Sequence, residues 1–262
     1  LVEPQAGSVV FDGTDLLALP RHRLRAFRSR IQIIFQDPAA SLDPRMRIRD
    51  AVAEGMRAFG IGANKAERVE RVAALLEMVQ MDPRQMERYP HEFSGGQRQR
   101  ICIARALAVE PKLIICDEAV SALDVSIQAQ ILNLLRDLQE EHGLAYLFIT
   151  HDLGVVRYLA DRVTVMYLGQ IVEEGTTEEI FSDPKHPYTR GLLDAVPSVD
   201  PERRTVKARV RGDVPSPSNP PPGCRFHTRC PEVFDRCPAE PPLLYPVDHG
   251  ASRCFLHDPS GR

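Results

Sequence analysis

The chain has 262 residues, 43% of them hydrophobic, and a formal net charge of −3 at pH 7. This length and apolar content suffice for one core-forming domain with a smaller addition, and they exclude a disordered or fibrous chain. The charge balance lacks the basic excess of nucleic-acid-binding domains, so we expect no nucleic-acid partner.

The start of the chain shows neither a signal peptide nor a membrane span. It opens at Leu1 rather than at a methionine, in the middle of a pattern, and no run of about 18 apolar residues follows anywhere. We therefore expect a cytoplasmic protein, and we interpret the start as an N-terminal truncation.

Two short segments near the start have the composition of β-strands, with β-branched residues between turn formers. They are Gly7 to Gly13 and Ile31 to Gln36. Five arginines lie between them, over Arg21 to Arg30. We interpret that segment as a solvated helix face rather than an anion site.

A helical insert is predicted over about 45–108. Between Arg45 and Gln80, apolar residues recur at three- and four-residue steps, with a break at the Gly60 to Asn64 turn. A further helix is predicted over Gly95 to Val109. Together these helices would form a subdomain.

A strand, a helix and a second strand follow. Leu113 to Asp117 and Ala145 to Thr150 are nearly all apolar, which is typical of strands buried on both faces. Between them, Ser126 to Glu141 has its leucines and isoleucines on one face. A right-handed crossover sets the strands parallel, so Asp117-Glu118 and Thr150-His151 should emerge at one edge of the sheet.

The character of the chain changes beyond Gly175, where prolines accumulate and the periodic patterns fade. This change predicts two domains, 1–175 and 176–262. The second is expected to be a small loop-rich module.

Two groups of residues have the chemistry of a nucleotide site. Asp117 could hold Mg²⁺ while Glu118 acts on water, although acidic strand ends are common in other proteins. Ser94 suits a helix N-cap, and Gly95 and Gly96 permit close approach of an anion. On that tetrapeptide alone, an ordinary capped helix is the simpler interpretation.

The order and spacing of these groups resemble the ABC ATPase family over Leu1 to Gly175. The resemblance implies an α/β fold, an ABC-type nucleotide-binding domain with a RecA-like core and a helical subdomain. The motifs that carry it are the Gln loop at Gln36, the signature motif Ser94, Gly95, Gly96 and Gln97, the Walker B strand Leu113 to Glu118, the D-loop Ser121 to Asp124, and the switch residue His151.

The resemblance also implies roles for the residues around the γ-phosphate of ATP. Asp117 would support Mg²⁺, and Glu118 would polarise the attacking water. Gln36 would touch both metal and water, and His151 would contact the γ-phosphate.

The resemblance implies partners as well. Because two such subunits meet head to tail, Ser94 to Gln97 would clasp the nucleotide held by a second ATPase subunit, and Asp124 would communicate across the interface. Two membrane-spanning permease subunits would bind the pair, with the region Asp37 to Arg49 at the contact.

One motif of the family does not occur, because the 262 residues contain no G-x-x-x-x-G-K-[ST] sequence. Without this loop the phosphates lack their backbone nest and lysine, and the sheet lacks the strand and helix that the loop joins. In the resembled family the loop lies just before the point where this chain begins. We therefore expect truncation rather than evolved loss, and an inactive chain in isolation.

The end of the chain resembles the tail of oligopeptide, dipeptide and nickel importer ATPases. The resemblance rests on Phe181 to Pro197 and on Gly223 to Pro231. It implies peptide uptake driven from the cytoplasmic face of the membrane, where the subunit would be peripheral. An extracytoplasmic peptide-binding protein would deliver the cargo.

Four cysteines near the end are spaced C-x5-C-x6-C-x16-C, unlike the C-x2-C pairs of structural zinc sites. In a reducing cytosol, clustered cysteines more often ligate metal than form disulfides. The family resemblance implies a [4Fe-4S] cluster, with zinc as the alternative, held by Cys224, Cys230, Cys237 and Cys254.

Two other functions remain open. A soluble ABC ATPase would lack the importer tail and would usually carry duplicated cassettes or a coiled coil. A non-catalytic, metal-binding interaction module derived from an ABC ATPase is favoured by the absent phosphate-binding loop. The retained Glu118 and His151 oppose this second alternative.

Overall fold

The computed structural model describes residues 4–195, 212–248 and 250–261. By their internal contacts the residues fall into two compact units, Leu1–His151 and Asp152–Arg262. The domains expected from the sequence, 1–175 and 176–262, stay a prediction. Within the described ranges, no helix is both long and apolar enough to cross a bilayer.

The first unit begins with a short hairpin and then alternates helices with the strands of a parallel sheet. Its elements are β1 (Val10–Phe11), β2 (Thr14–Asp15), α1 (Arg21–Arg30), β3 (Ile31–Ile34), α2 (Pro38–Ser41), α3 (Ile48–Phe59), α4 (Lys65–Met78), α5 (Gly95–Leu107), β4 (Leu113–Asp117), α6 (Val125–His142) and β5 (Ala145–Ile149). The arginine-rich α1 has no buried residue, as expected of a solvated helix.

The parallel sheet has the strand order β3-β4-β5, which confirms the predicted βαβ unit. One of its faces is covered, since Ile114 and Cys116 are completely buried. The other face differs from the expectation of burial on both sides. There Leu147 is 51% exposed and Ile149 is 49% exposed, so the described residues bury only one side of the sheet.

The helical insert forms where the apolar periodicity predicts it. Gly60 ends α3 with a left-handed φ of 72°, a conformation that glycine adopts without a steric penalty. Asn64 then caps α4, because its side chain accepts a hydrogen bond from the Glu67 N–H at 3.0 Å. The buried faces of the two helices share apolar residues that are at most 1% exposed, namely Ile48, Val52, Met56, Val72 and Leu76.

The second unit contains an antiparallel sheet with the order β6-β7-β9-β8. Its elements are α7 (Leu153–Leu159), β6 (Arg162–Tyr167), β7 (Gln170–Thr176), α8 (Thr177–Ser182), α9 (Pro187–Asp194), α10 (Arg236–Ala239), β8 (Tyr245–Val247) and β9 (Gly250–Ser252). The sheet joins distant parts of the sequence, since Glu173 of β7 lies opposite Ser252 of β9.

An aromatic cluster holds the loop-rich part of this unit against its sheet. The Phe226 ring lies 5.3 Å from Tyr167 and 5.4 Å from Tyr188, measured between centroids. Both pairs have the edge-to-face geometry that aromatic rings prefer. Phe226 is 1% exposed, so a segment with little regular structure still has an apolar anchor.

Candidate active site

Glu118 lies at the carboxyl edge of the parallel sheet, immediately after β4. Its N–H donates a hydrogen bond to the Ile149 carbonyl at 2.9 Å, which continues the pairing with β5 by one residue. Its φ of 49° lies in the left-handed region, where a residue with a side chain is uncommon. Such conformations cost free energy and are concentrated at functional sites.

Three of the predicted residues meet around the Glu118 carboxylate. The Gln36 Nε2 atom donates a hydrogen bond to Glu118 Oε2 at 2.8 Å. The His151 Nδ1 atom lies 3.3 Å from the other carboxylate oxygen, Glu118 Oε1. Because Gln36 and His151 follow β3 and β5, the ends of three neighbouring strands supply the cluster.

This cluster is open on the histidine side. The His151 side chain is 73% exposed, whereas the Glu118 side chain is 30% exposed. A carboxylate with a partner on each oxygen and an exposed imidazole beside it has the geometry to orient a water molecule. The arrangement therefore suits hydrolysis of a bound substrate.

Ser121 is a member of the cluster that motif matching did not assign to the site. Its Oγ donates to the Glu118 carbonyl at 2.9 Å and lies 3.4 Å from Gln36 Nε2. The Ser121 N–H also bonds to the Glu118 carbonyl, at 3.0 Å. The signal in the sequence was the three-residue separation, which allows a turn after the strand to return the hydroxyl to the Glu118 backbone carbonyl.

Asp117 ends β4 and lies opposite Ile149 in the register of the sheet. Asp117, Glu118 and Gln36 lie at or just after the ends of two neighbouring strands, so their side-chain oxygens are available at one edge of the sheet. Mg²⁺ prefers few carboxylates and keeps most of its waters, so this donor set fits the ion.

The signature helix α5 begins with the expected cap. The Ser94 Oγ accepts from the Gln97 N–H at 3.3 Å, and the Gln97 Oε1 accepts from the Ser94 N–H at 3.0 Å. This reciprocal capping box satisfies two donors at the helix start.

The two glycines of this helix start lie against the D-loop and α6. A Cβ atom on Gly95 would lie 3.7 Å from Leu123 Cδ2, an ordinary contact, but one on Gly96 would lie 2.5 Å from Ile127 Cγ2. Glycine at position 96 is therefore required by packing within the chain. Asp124, at the N-cap of α6, accepts a backbone hydrogen bond from Gln128 at 2.8 Å.

The four C-terminal cysteines are free thiols, and Cys224 packs against two apolar clusters, one that contains Cys230 and one that contains Cys237. The Cys224 N–H donates to the Cys237 carbonyl at 2.8 Å. Burial, followed by smaller effects that include the other three cysteines, raises the pKa of Cys254 to about 12. Burial likewise raises the pKa of Cys230 to about 11. Among the described residues, however, no three His, Cys, Asp or Glu side chains are arranged to hold a metal ion.

Comparisons with known proteins agree with this geometry. Residues 1–121 match the ABC transporter family, and residues 172–237 match the C-terminal region of oligopeptide/dipeptide transporters. A dimeric post-hydrolysis structure of the ATP-binding cassette MJ0796, bound to ADP and Pi, is similar in fold, with a TM-score of 0.60 at 31% identity. That similarity covers 67% of this chain and 75% of the other. Fold and site thus define an ABC-type ATPase domain.

Two similar proteins identify the family within the ABC-type ATPases. A peptide import ATP-binding protein of Brucella ovis is 55% identical over 258 residues, covering 98% of this chain and 81% of the relative. The oligopeptide transport ATP-binding protein OppF of Escherichia coli is 51% identical over 261 residues, covering 99% and 78%. The chain belongs to the family of ATP-binding subunits of peptide-importing ABC transporters.

Proposed function

We propose that the chain supplies the energy for uptake of oligopeptides or dipeptides by hydrolysing ATP at the cytoplasmic face of the membrane. The observation that carries the proposal is the Gln36, Glu118 and His151 cluster at the carboxyl edge of the parallel sheet. The importer-type tail over residues 172–237 supports the choice of cargo. The subunit would be peripheral and would act on two membrane-spanning permease subunits.

In the proposed mechanism, Glu118 acts as the general base for the attacking water. Gln36 holds one carboxylate oxygen and Ser121 holds the backbone, so the second oxygen, beside the exposed His151, can face the water. Asp117 would hold Mg²⁺, with Gln36 as a further ligand, and the ion would neutralise charge on the β- and γ-phosphates. His151 would contact the γ-phosphate.

A second ATPase subunit, identical or similar, completes the proposed site. Ser94, Gly95, Gly96 and Gln97 would bind the nucleotide of that partner through the start of α5, where free N–H groups and the helix dipole favour an anion. Asp124 would transmit the state of one site to the other. An extracytoplasmic binding protein would deliver the peptide to the permease.

We also propose that the 262-residue chain by itself has negligible ATP turnover, since it contains no phosphate-binding loop. Measurable hydrolysis by the purified chain would contradict this.

The test uses an assembled importer that contains this subunit together with a phosphate-binding loop. Glu118→Gln keeps the hydrogen-bonding shape but removes the base, so ATP hydrolysis should fall by roughly 10²-fold or more while ATP binding persists. Glu140→Gln is the control, because its side chain on α6 is 69% exposed. Unchanged hydrolysis in Glu118→Gln would refute the role of Glu118 as the general base.

For the cysteines, we propose a [4Fe-4S] cluster ligated by Cys224, Cys230, Cys237 and Cys254, with zinc as the alternative. Four free thiols in one small unit support this, because all-thiolate ligation suits such a cluster; Cys224 packs both against the apolar cluster that contains Cys230 and against the one that contains Cys237. When bound, the cluster would cross-link a segment with little regular structure. Iron and sulfide analysis of anaerobically purified protein tests it, and zinc alone would refute the iron–sulfur form.

A further inference from the structure

A cavity of about 150 Å³ lies between α3 and α4 of the helical insert, away from the cluster around Glu118. Four of its lining side chains are cationic and one is a carboxylate, which leaves a net charge of +3. The cavity is lined by Arg49, Asp50, Ala53, Arg57, Lys65, Arg68, Val69 and Val72.

The floor of this cavity is apolar. Val72 is completely buried, and Ala53 is 6% exposed, so both belong to the packed interface of the two helices. Charged groups above an apolar floor are poorly hydrated from below, which strengthens their attraction for an anion. The cations therefore belong to one cavity and are not isolated surface charges.

Arg49 supplies a donor that the described protein leaves unused. Its Nε atom is buried and makes no hydrogen bond in the described part of the chain. The closest carboxylate oxygen, Asp50 Oδ2, is 3.6 Å away, beyond hydrogen-bonding distance. The other arm of the guanidinium is held by Glu87, which keeps Arg49 in place. A buried donor without a partner is costly, so a ligand that accepts from it would be stabilised.

The carboxylate of Asp50 only partly neutralises the positive charge of the side chains that line the cavity. Arg57 Nη1 approaches Asp50 Oδ1 at 3.4 Å, a long contact, while Arg57 Nη2 donates to the Asp50 carbonyl at 2.8 Å. Asp50 is thus loosely held between two guanidinium groups. One carboxylate is therefore shared between the guanidinium groups of Arg49 and Arg57.

The start of α4 contributes the remaining cations. Lys65 is the first residue of this helix, and Arg68 follows one turn later. The Arg68 guanidinium is positioned by a hydrogen bond from Nη1 to the Gly62 carbonyl at 2.8 Å. Glu67 lies in the same turn but is engaged by the Ala63 N–H at 2.7 Å, and it does not line the cavity.

The size and charge select the ligand class. A volume of about 150 Å³ is smaller than the roughly 300–1,000 Å³ of pockets for drug-sized ligands, which suits a small oxyanion rather than a nucleotide. Together with Glu87, which pairs with Arg49, the lining side chains carry a net charge of +2, and a dianion matches this charge better than a single carboxylate does. One guanidinium group can donate two parallel hydrogen bonds to two oxygens of the same phosphate.

We propose that the cavity between α3 and α4 binds a phosphate or phosphate monoester group through Arg49, Arg57, Lys65 and Arg68. The group can come from free phosphate or from the headgroup of an anionic phospholipid. Both sources present the same doubly charged oxyanion to the same cations.

Calorimetric titration of the full chain with inorganic phosphate tests the site. Lys65→Gln and Arg68→Gln should each weaken phosphate binding roughly ten-fold, the factor that corresponds to about 1.4 kcal/mol. Lys65→Arg keeps the charge and should retain binding. Arg136→Gln, a half-exposed cation on α6, is the matched control and should bind as the unsubstituted chain does.

Further binding measurements distinguish the possible sources of the phosphate group and test other ligands. Binding to vesicles that contain phosphatidic acid, but not to pure phosphatidylcholine, would assign the lipid headgroup; binding of inorganic phosphate alone would assign the free ion. The proposal is overturned if phosphate does not bind, if succinate binds equally well, or if Arg136→Gln loses as much affinity as Arg68→Gln. Circular dichroism of each variant without phosphate distinguishes a lost site from a lost fold.

Discussion

The packing of α5 against α6 is tested most directly by Gly96→Ala, with the adjacent Gly95→Ala as its control. Both substitutions add one methyl group in the first turn of the same helix. The added Cβ would lie 2.5 Å from Ile127 Cγ2 at position 96, but 3.7 Å from Leu123 Cδ2 at position 95. Only the first distance is shorter than a carbon–carbon contact of about 3.5–4.0 Å.

The expected magnitude follows from two opposing contributions. Overpacking a closely packed contact costs about 1–3 kcal/mol, and the encroaching Ile127 atom is a branch at Cβ that cannot rotate freely. Replacing glycine by alanine in a helix recovers up to about 1 kcal/mol. Gly96→Ala should therefore lower the free energy of unfolding by about 1–2 kcal/mol, whereas Gly95→Ala should be neutral or slightly stabilising.

Urea unfolding followed by far-ultraviolet circular dichroism measures both effects. Ile127→Ala removes the clashing atom, so Gly96→Ala should lose most of its cost in that background. Equal destabilisation by the two glycine substitutions, or no rescue by Ile127→Ala, would show that steric packing does not explain the glycine at position 96.

The second unit yields two further predictions. Burial lowers the pKa of His186 to about 3, from an ordinary value of 6.5. Between these two pH values only the unfolded chain gains a proton, so the free energy of unfolding should fall by about 1.4 kcal/mol for each unit by which the pH is lowered. His186→Asn keeps an acceptor for the Tyr188 N–H and should flatten this acid dependence in pH-dependent urea melts. Glu173 is 1% exposed and accepts from the Lys185 and His186 N–H groups at 2.6 and 3.0 Å, so Glu173→Ala should cost about 2–4 kcal/mol. The half-buried neighbour Glu174 is the control, and an equal loss in Glu174→Ala would contradict the role of these two bonds.

Much of the first unit could be predicted because its determinants are local. The helical pair α3 and α4 followed from apolar periodicity and from the break at Gly60, where the left-handed turn requires glycine. The meeting of Glu118 with His151 followed from parallel pairing, since parallel strands deliver their ends to one edge. Neither prediction required a known distance between residues that are far apart in the sequence.

Other features depended on how the elements pack. Ser121 joins the cluster only because the turn after β4 returns its hydroxyl to Gln36. The expectation that the parallel strands are buried on both faces differed from the structure, because burial depends on which elements cover a sheet and not on strand composition alone. Apolar residues permit burial but do not supply a covering layer.

The sequence by itself determined the class of this protein, because short motifs in a set order specify strand ends, helix starts and their chemistry. Only the tertiary structure decided that Gly96 must accommodate Ile127, and that Arg49 and Arg68 line one cationic cavity. The physical reason is that such contacts depend on the rotation and separation of whole helices. These are determined by the packing of many side chains together, and no local pattern encodes them.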